Sequence, residues 1–355
     1  MDHNIKILVV THVPYKLLEG KYFVSIHAGR AIASERSKDG KINRSDYEWL
    51  LENTIGDDSG DNISEKNRYY SECSALYWAW KNYDKLGNPD YIGLMHYRRH
   101  FVFNDKYFES VPKGNWEKGL QFIKSDFIND EYLGKIGLND QNIENVCNNY
   151  DLIVSNDSDL EIIRNRNIRE DYKTTILGTD VKDFDLMLEI INKKYPDYKD
   201  VILEKIFGYK KTLYQMFIMK KELFFEYCDF LFGVLFEVEK QVDFSAYSIN
   251  GQRSLGYLAE IIMSIFVWKK EKEGINVKKL GISMVDYPFE KKQLEKILDK
   301  GCPSCADKFI LQMKYLLSVG KNRENARFEY NRIKTKIKSY KKLQKLIDLG
   351  INAKD

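Results

Sequence analysis

The chain has no run of about 18 consecutive apolar residues, which excludes a membrane-crossing helix of ordinary length. Proline is scarce, at six in 355 residues, and no low-complexity linker or internal repeat interrupts the sequence. The N-terminus enters the apolar run Ile5–Val10 with no basic region before it and no small-residue cleavage site after it, so a secretory leader is not expected. Cysteines are few and odd in number: Cys73, Cys147, Cys228, Cys302 and Cys305. Without an export signal they read as reduced thiols of a cytoplasmic protein. Cys302-Pro-Ser-Cys305 has the spacing of half a zinc knuckle, yet no second pair or nearby histidine exists to complete four ligands, so zinc is not expected.

What is present is an ordinary folding composition, 43% hydrophobic and 31% charged, in a chain long enough for one large or two modest domains. The net charge of +3 is unevenly placed. From Lys308 onward there are 13 Lys+Arg against 4 Asp+Glu, which leaves residues 1–307 acidic. Ile333, Ile337, Tyr340, Leu343 and Ile347 recur there at intervals of three and four with lysines between them, the spacing of a basic amphipathic helix. Such a helix suits an anionic membrane surface, which would make the protein peripheral at the inner face of the membrane. It equally suits a solvated helix packed on the main domain. The acidic body argues against a nucleic-acid partner.

Along the chain, Ile5–Val10, Asp90–Met95, Asp151–Val154 and Leu213–Met219 read as short buried strands. Glu65–Asn82, Phe184–Tyr195, Glu222–Val238 and Arg253–Lys272 read as helices. The alternation predicts one α/β domain over 1–287, followed by a helical, Lys-rich appendage over 288–355.

Open α/β sheets bind ligands beyond the carboxyl ends of their strands. Two such ends carry unusual polar groups: Thr11-His12 after the first strand, and His96, Arg98 and Arg99 after the second. In an extended backbone His96 and Arg98 share a face and Arg99 points away. A His96/Arg98 pair suits a diphosphate, since guanidinium grips phosphate oxygens through paired hydrogen bonds; a basic strand end paired with acidic neighbours is the other reading.

The stretch 57–101, with Asp-Asp-Ser-Gly-Asp-Asn-Ile-Ser-Glu-Lys-Asn, Tyr70-Ser-Glu-Cys-Ser-Ala-Leu-Tyr-Trp-Ala-Trp-Lys-Asn82 and Tyr91-Ile-Gly-Leu-Met-His-Tyr-Arg-Arg-His-Phe101, resembles a bacterial domain-of-unknown-function family of capsular or exopolysaccharide biosynthesis glycosyltransferases. Some members of that family look like galactofuranosyltransferases. Weaker resemblance runs through Tyr214-Gln-Met-Phe-Ile-Met-Lys220 and Gln252–Glu260, so it covers about residues 5–270.

The resemblance implies a GT-A-type fold, a Rossmann-like nucleotide-binding half joined to an acceptor-binding half. It also implies a nucleotide-sugar donor, UDP-linked and conceivably UDP-galactofuranose, and a surface-polysaccharide or lipid-linked glycan acceptor, with inversion at the sugar. GT-A strands commonly end in Asp-x-Asp around a divalent ion, whereas the analogous end here reads His96-Tyr97-Arg98. Cationic groups cannot ligate magnesium or manganese but can neutralise a leaving diphosphate, so no metal cofactor is expected.

Other expected site residues follow from position. Thr11 and His12 would meet the base, Lys66 and Asn67 the ribose or donor sugar, Asp58 the sugar or uracil, Arg99 the donor nucleotide and Arg253 the diphosphate. Arg253 and Glu260 lie two helical turns apart on one face, which makes Glu260 the candidate general base, with an ion pair within or between helices as the other reading. Glu72, Trp78 and Gln215 are the expected acceptor or sugar contacts. For Glu72 a pairing with an arginine of the His-Tyr-Arg-Arg segment competes with that role, and for Trp78 a place in the core does. Gln215 stands where the resemblance leads one to expect Asn. A non-catalytic nucleotide-sugar or carbohydrate binder on the same fold is the alternative.

Overall fold

In this computed structural model residues 3–35, 41–175, 179–288, 305–318 and 320–348 are described. Six of the seven residues of β1 (Ile5–Thr11) are buried, the pattern of a strand covered on both faces. It pairs in parallel with β2 (Phe23–His27) on one side and β4 (Tyr91–His96) on the other, and β3 (Ile55–Gly56) extends the sheet beyond β2. On the far side of β4 the direction reverses. There β10 (Phe217–Lys220) runs antiparallel between β4 and β7 (Leu152–Ser155). The long β11 (Val277–Val285) pairs first with β7, then with β5 (Arg99–Val102) and β6 (Phe122–Ser125). A separate two-stranded ribbon joins β8 (Ser158–Asp159) to β9 (Lys210–Lys211).

Alternate residues of the central strands divide between two cores. Leu8, Val10, Ile92, Leu94 and Phe217 face the helices Cys73–Lys81, Val181–Lys194, Lys221–Gln241 and Ser254–Lys272. Ile7, Val9, Tyr91, Met95 and Ile218 face a second layer that includes Tyr132, Ile136 and Ile143. Each such fully buried side chain contributes roughly 1.5–3 kcal/mol.

The expected strands and helices lie close to where the periodicity puts them, with two informative breaks. The helix expected over Glu65–Asn82 is interrupted at Ser71, whose φ of 52° and ψ of −130° are incompatible with a helix. The strand expected from Leu213 begins only at Phe217, because Tyr214 and Gln215 both have positive φ. Strands β2 and β11 carry no clear alternation and were not anticipated.

Beyond the sheet, Cys305–Leu317 and Gly320–Asp348 are helices that pack on one another, with Tyr315 stacked on Tyr330 at 6.5 Å. Asn325 accepts from the Ile249 backbone at 2.8 Å and ties the second helix to the body. Ile333, Ile337 and Tyr340 are half-buried, while Phe309, Ile310, Met313, Leu316 and Leu317 form an exposed stripe on the first helix. Cys302 and the side chains of Cys305, Leu343 and Ile347 fall outside the described residues. No helix among the described residues is long and apolar enough to cross a membrane.

Candidate functional site

From β1 the chain continues outward through β2 and β3, whereas β4 lies on the other flank of β1. The crevice beyond the carboxyl ends of β1 and β4 is therefore a topological switch point, where open α/β sheets take ligands. A cleft of about 440 Å³ occupies it. It is lined by Thr11 at the end of β1 and His12 beyond it, by His27–Gly29 at the end of β2, by His96–Arg99 at the end of β4, and by residues of the Asn67–Glu72 and Arg253–Glu260 stretches.

The His-Tyr-Arg-Arg segment departs from the extended geometry expected of it. Tyr97 and Arg98 make a tight turn, so that His96 and Arg99 face each other as an antiparallel pair of β4 and β5. The turn cancels the simple alternation: His96, Arg98 and Arg99 all line the cleft. His96 is not a cation there. Burial, reinforced by the neighbouring Arg99 charge, lowers its pKa to about 4. Its Nε2 donates to the Tyr214 carbonyl oxygen at 2.6 Å, which fixes the neutral tautomer.

Positive charge comes instead from Arg98, Arg99 and Arg253, none of which has a carboxylate partner within ion-pair distance among the described residues. Arg98 lies over the Tyr97 ring at 5.8 Å, and Arg99 over Tyr214 at 5.1 Å with its buried Nε unpartnered. Arg253 donates from Nε to Ser71 Oγ at 3.0 Å and from Nη1 to the Tyr257 hydroxyl at 3.2 Å.

Two carboxylates face these guanidinium groups. Glu260 Oε1 accepts from the Tyr214 backbone N–H at 3.3 Å, and burial pushes its carboxyl upward. Glu72 sits at the start of the Cys73–Lys81 helix without capping it, half-buried in the cleft wall. The pairing of Glu72 with an arginine of the strand end is not formed; its charge acts on His96 and Arg99 only through space.

The remaining expected residues divide. Thr11 lines the cleft while its hydroxyl closes a local turn, donating to Val13 O at 2.5 Å. His12 is exposed at the rim, edge-on to Tyr97 at 5.4 Å. Asn67 lines the cleft, but its amide donates to Ser71 O at 2.6 Å and Ser74 Oγ at 2.8 Å.

Four others do not line the cleft. Lys66 turns to the Lys221–Gln241 helix and pairs with Glu239 at 2.8 Å. Asp58 is exposed on the turn. Trp78 is buried in the helical core with its indole N–H on Ser59 at 3.1 Å, so it is no sugar platform. Gln215 is fully buried, accepting from the Tyr227 hydroxyl at 2.7 Å while its amide nitrogen lacks a partner.

The turn carboxylate that matters to the architecture is Asp57. It accepts from the backbone of Gly29 (2.8 Å) and Arg30 (3.1 Å) and from the hydroxyls of Ser64 (2.5 Å) and Ser74 (2.6 Å), fixing the loop after β2. Two Asp-x-Asp sequences exist, Asp183-Phe184-Asp185 within the Val181–Lys194 helix and Asp157-Ser158-Asp159 beyond β7. There Asp157 pairs with Lys279 at 2.7 Å and Asp159 caps the helix that follows, and neither lines the cleft. Among the described residues no group of three or more His, Cys, Asp or Glu could hold a metal ion. Ser71, Gly256 and Tyr257 were not anticipated, and only the close repeat of small and polar residues around them would have hinted at their place.

No curated protein matches the chain. Among solved structures it is similar to the apo structure of the bifunctional glycosyltransferase WbbM, with 27% identity and a TM-score of 0.68 over 80% of this chain and 45% of that one. The chain thus corresponds to less than half of that protein. The mixed α/β fold is thus similar to that of a glycosyltransferase, and residues 6–272 match a single family model: the chain belongs to the family described as Domain of unknown function (DUF4422).

Proposed function

We propose that the cleft binds a nucleotide sugar and that the chain transfers the sugar to a hydroxyl of a glycan. The observation that carries the reading is the set of three guanidinium groups, Arg98, Arg99 and Arg253, converging, with no carboxylate partner among the described residues, on a cleft at the carboxyl ends of β1 and β4. The likeness to WbbM and the parallel order β3-β2-β1-β4 next to the antiparallel β10 support a GT-A-type arrangement.

In this reading the nucleoside lies along Thr11, His12 and the Gly29 loop, and the diphosphate meets the three arginines. Fixed cations aimed at the leaving oxygens stabilise the charge that develops as the glycosidic bond breaks, the work a divalent ion does in Asp-x-Asp enzymes. We take the reaction to be metal-independent, and the commitment of Asp157 and Asp159 to Lys279 and a helix cap supports this. His96 acts by bracing the Tyr214 backbone rather than by charge. One of the two facing carboxylates, Glu72 or Glu260, accepts the proton of the attacking hydroxyl.

The donor we favour is UDP-linked, with UDP-galactofuranose the first to try, inversion the expected outcome and a surface-polysaccharide or lipid-linked glycan the acceptor. The basic C-terminal stretch and the exposed stripe Phe309–Leu317 would hold the chain beside a lipid-linked acceptor at an anionic membrane.

Release of nucleoside diphosphate from a panel of nucleotide sugars, with and without excess chelator, tests the proposal. Release that chelator leaves undiminished is expected. Thermal stabilisation by the nucleotide with no release from any donor would identify a binder instead, and strict dependence on added manganese would refute the role given to the arginines.

A further inference from the structure

We infer that Glu72 is the carboxylate that takes the acceptor's proton, and that Glu260 holds the floor of the cleft; this assignment rests on the transferase reading above. The two face the same guanidinium groups but differ in what they already hold. Glu260 accepts the Tyr214 N–H, and His96 donates to the Tyr214 carbonyl, so the pair clamps both backbone polar atoms of a residue with φ of 74°. Tyr214 and Gln215 are consecutive non-glycine residues at positive φ, a conformation that persists only where neighbours over-determine it. Glu260 is one of those neighbours.

Glu72 has no comparable duty. Its carboxylate makes no hydrogen bond or ion pair with a described residue, and it does not cap its own helix. The third carboxylate of the cleft, Glu35, is paired with Arg68 at 3.3 Å. The backbone leading into Glu72 is itself held in an unfavourable shape. Ser71, at φ 52° and ψ −130°, has its carbonyl gripped by Asn67 Nδ2 at 2.6 Å and its hydroxyl by Arg253 Nε at 3.0 Å.

The facing helix makes room with Gly256, where a Cβ would stand 2.9 Å from Ser71 Oγ and 3.1 Å from Ser71 Cβ. A strained residue fastened by two side chains and a glycine thus immediately precedes the cleft's unengaged carboxylate. Arg253 joins this kink to the cationic cluster, since the guanidinium that fastens Ser71 also lines the cleft.

The acceptor oxygen bonds to the anomeric carbon as its proton passes to Glu72. The bond from that carbon to the diphosphate oxygen breaks, and its electron pair leaves with the nucleoside diphosphate, whose new charge faces Arg98, Arg99 and Arg253. Glu72 returns the proton to water.

The test uses water as the acceptor and reads UDP release from UDP-glucose, UDP-galactose, UDP-N-acetylglucosamine and UDP-galactofuranose. UDP binding by calorimetry and the thermal midpoint accompany each variant. Glu72→Gln is expected to bind UDP within about threefold of wild type at an unchanged midpoint while release falls about 100-fold or more, the usual share of a general base. Glu260→Gln keeps an oxygen for the Tyr214 N–H and is expected to retain release within about tenfold, whereas Glu260→Ala lowers the midpoint. Wild-type release from Glu72→Gln, or full loss in a well-folded Glu260→Gln that still binds UDP, would overturn the assignment alone. A wild-type chain that releases UDP from no donor would overturn the transferase reading and this assignment with it.

Discussion

His96 donates from Nε2 to the carbonyl oxygen of Tyr214 at 2.6 Å, linking the end of β4 to a turn 118 residues away in sequence. Removing the ring as His96→Ala leaves that carbonyl without its donor and opens a void beneath the cleft. The expected loss is about 2–4 kcal/mol of stability, measured by urea unfolding. A loss below about 0.5 kcal/mol would show that the turn holds itself without the imidazole.

Stability should fall steeply below neutral pH. Burial, the chief cause in each case, lowers the pKa of His27 to about 3, His96 to about 4 and His100 to about 3, against 6.5 when unfolded. Between 6.5 and 4 the unfolded chain therefore binds more protons, so their contribution is full above 6.5 and is lost as pH falls towards the folded values. Each histidine adds a slope of at most about 1.4 kcal/mol per pH unit. Asp57, Asp183 and Glu260, raised by burial, run the other way and offset part of the loss at the acid end. Unfolding midpoints at pH 7 and pH 5 measure the slope, and His100→Asn should flatten it.

Arg98 and Lys66 make a matched pair of opposites. Arg98→Ala is expected to weaken UDP binding by about 10- to 100-fold in calorimetry with the thermal midpoint unchanged, because a charge-assisted contact is lost and no internal bond is. Lys66→Ala should leave UDP binding untouched and cost at most about 1 kcal/mol, the worth of its surface pair with Glu239.

Gly256 and Ser71 should be energetically coupled. Gly256→Ala drives a methyl into Ser71 and is expected to destabilise the fold by about 1–3 kcal/mol. Ser71→Gly removes the positive-φ strain and should stabilise by about 1 kcal/mol, while making Gly256→Ala tolerable in the double variant. Additive effects in a denaturation cycle would show that the two residues do not meet.

Much of the site is legible in the sequence. The buried strands ending at Thr11 and His96 gave themselves away by continuous apolar runs followed at once by polar groups, and the strand-end rule placed the cleft. Arg253 and Glu260 reached it because a helix repeats its faces. What misled were local exceptions to periodicity. A two-residue turn at Tyr97-Arg98 brought Arg99 inward, and burial took the charge from His96.

Lys66 and Trp78 stand on either side of the break at Ser71, and position along the chain cannot say which side chain meets the cleft. One turned to Glu239 and the other into the core. Asp57 and Asp58 are neighbours of one type in one turn, and only the donors that converge on the first distinguish them.

Asp57 has a consequence for selectivity. Four donors from three separate segments end on its one carboxylate, and Gly29, whose backbone supplies one of them, is also pressed against the Asn67 side chain, where a Cβ would stand 2.5 Å from Cγ. That flank of the crevice can recede only by giving up several bonds together. Under the proposed function, a visiting heterocycle would meet a rigid template there, and discrimination among nucleobases would fall to size and outline rather than to any yielding of the protein.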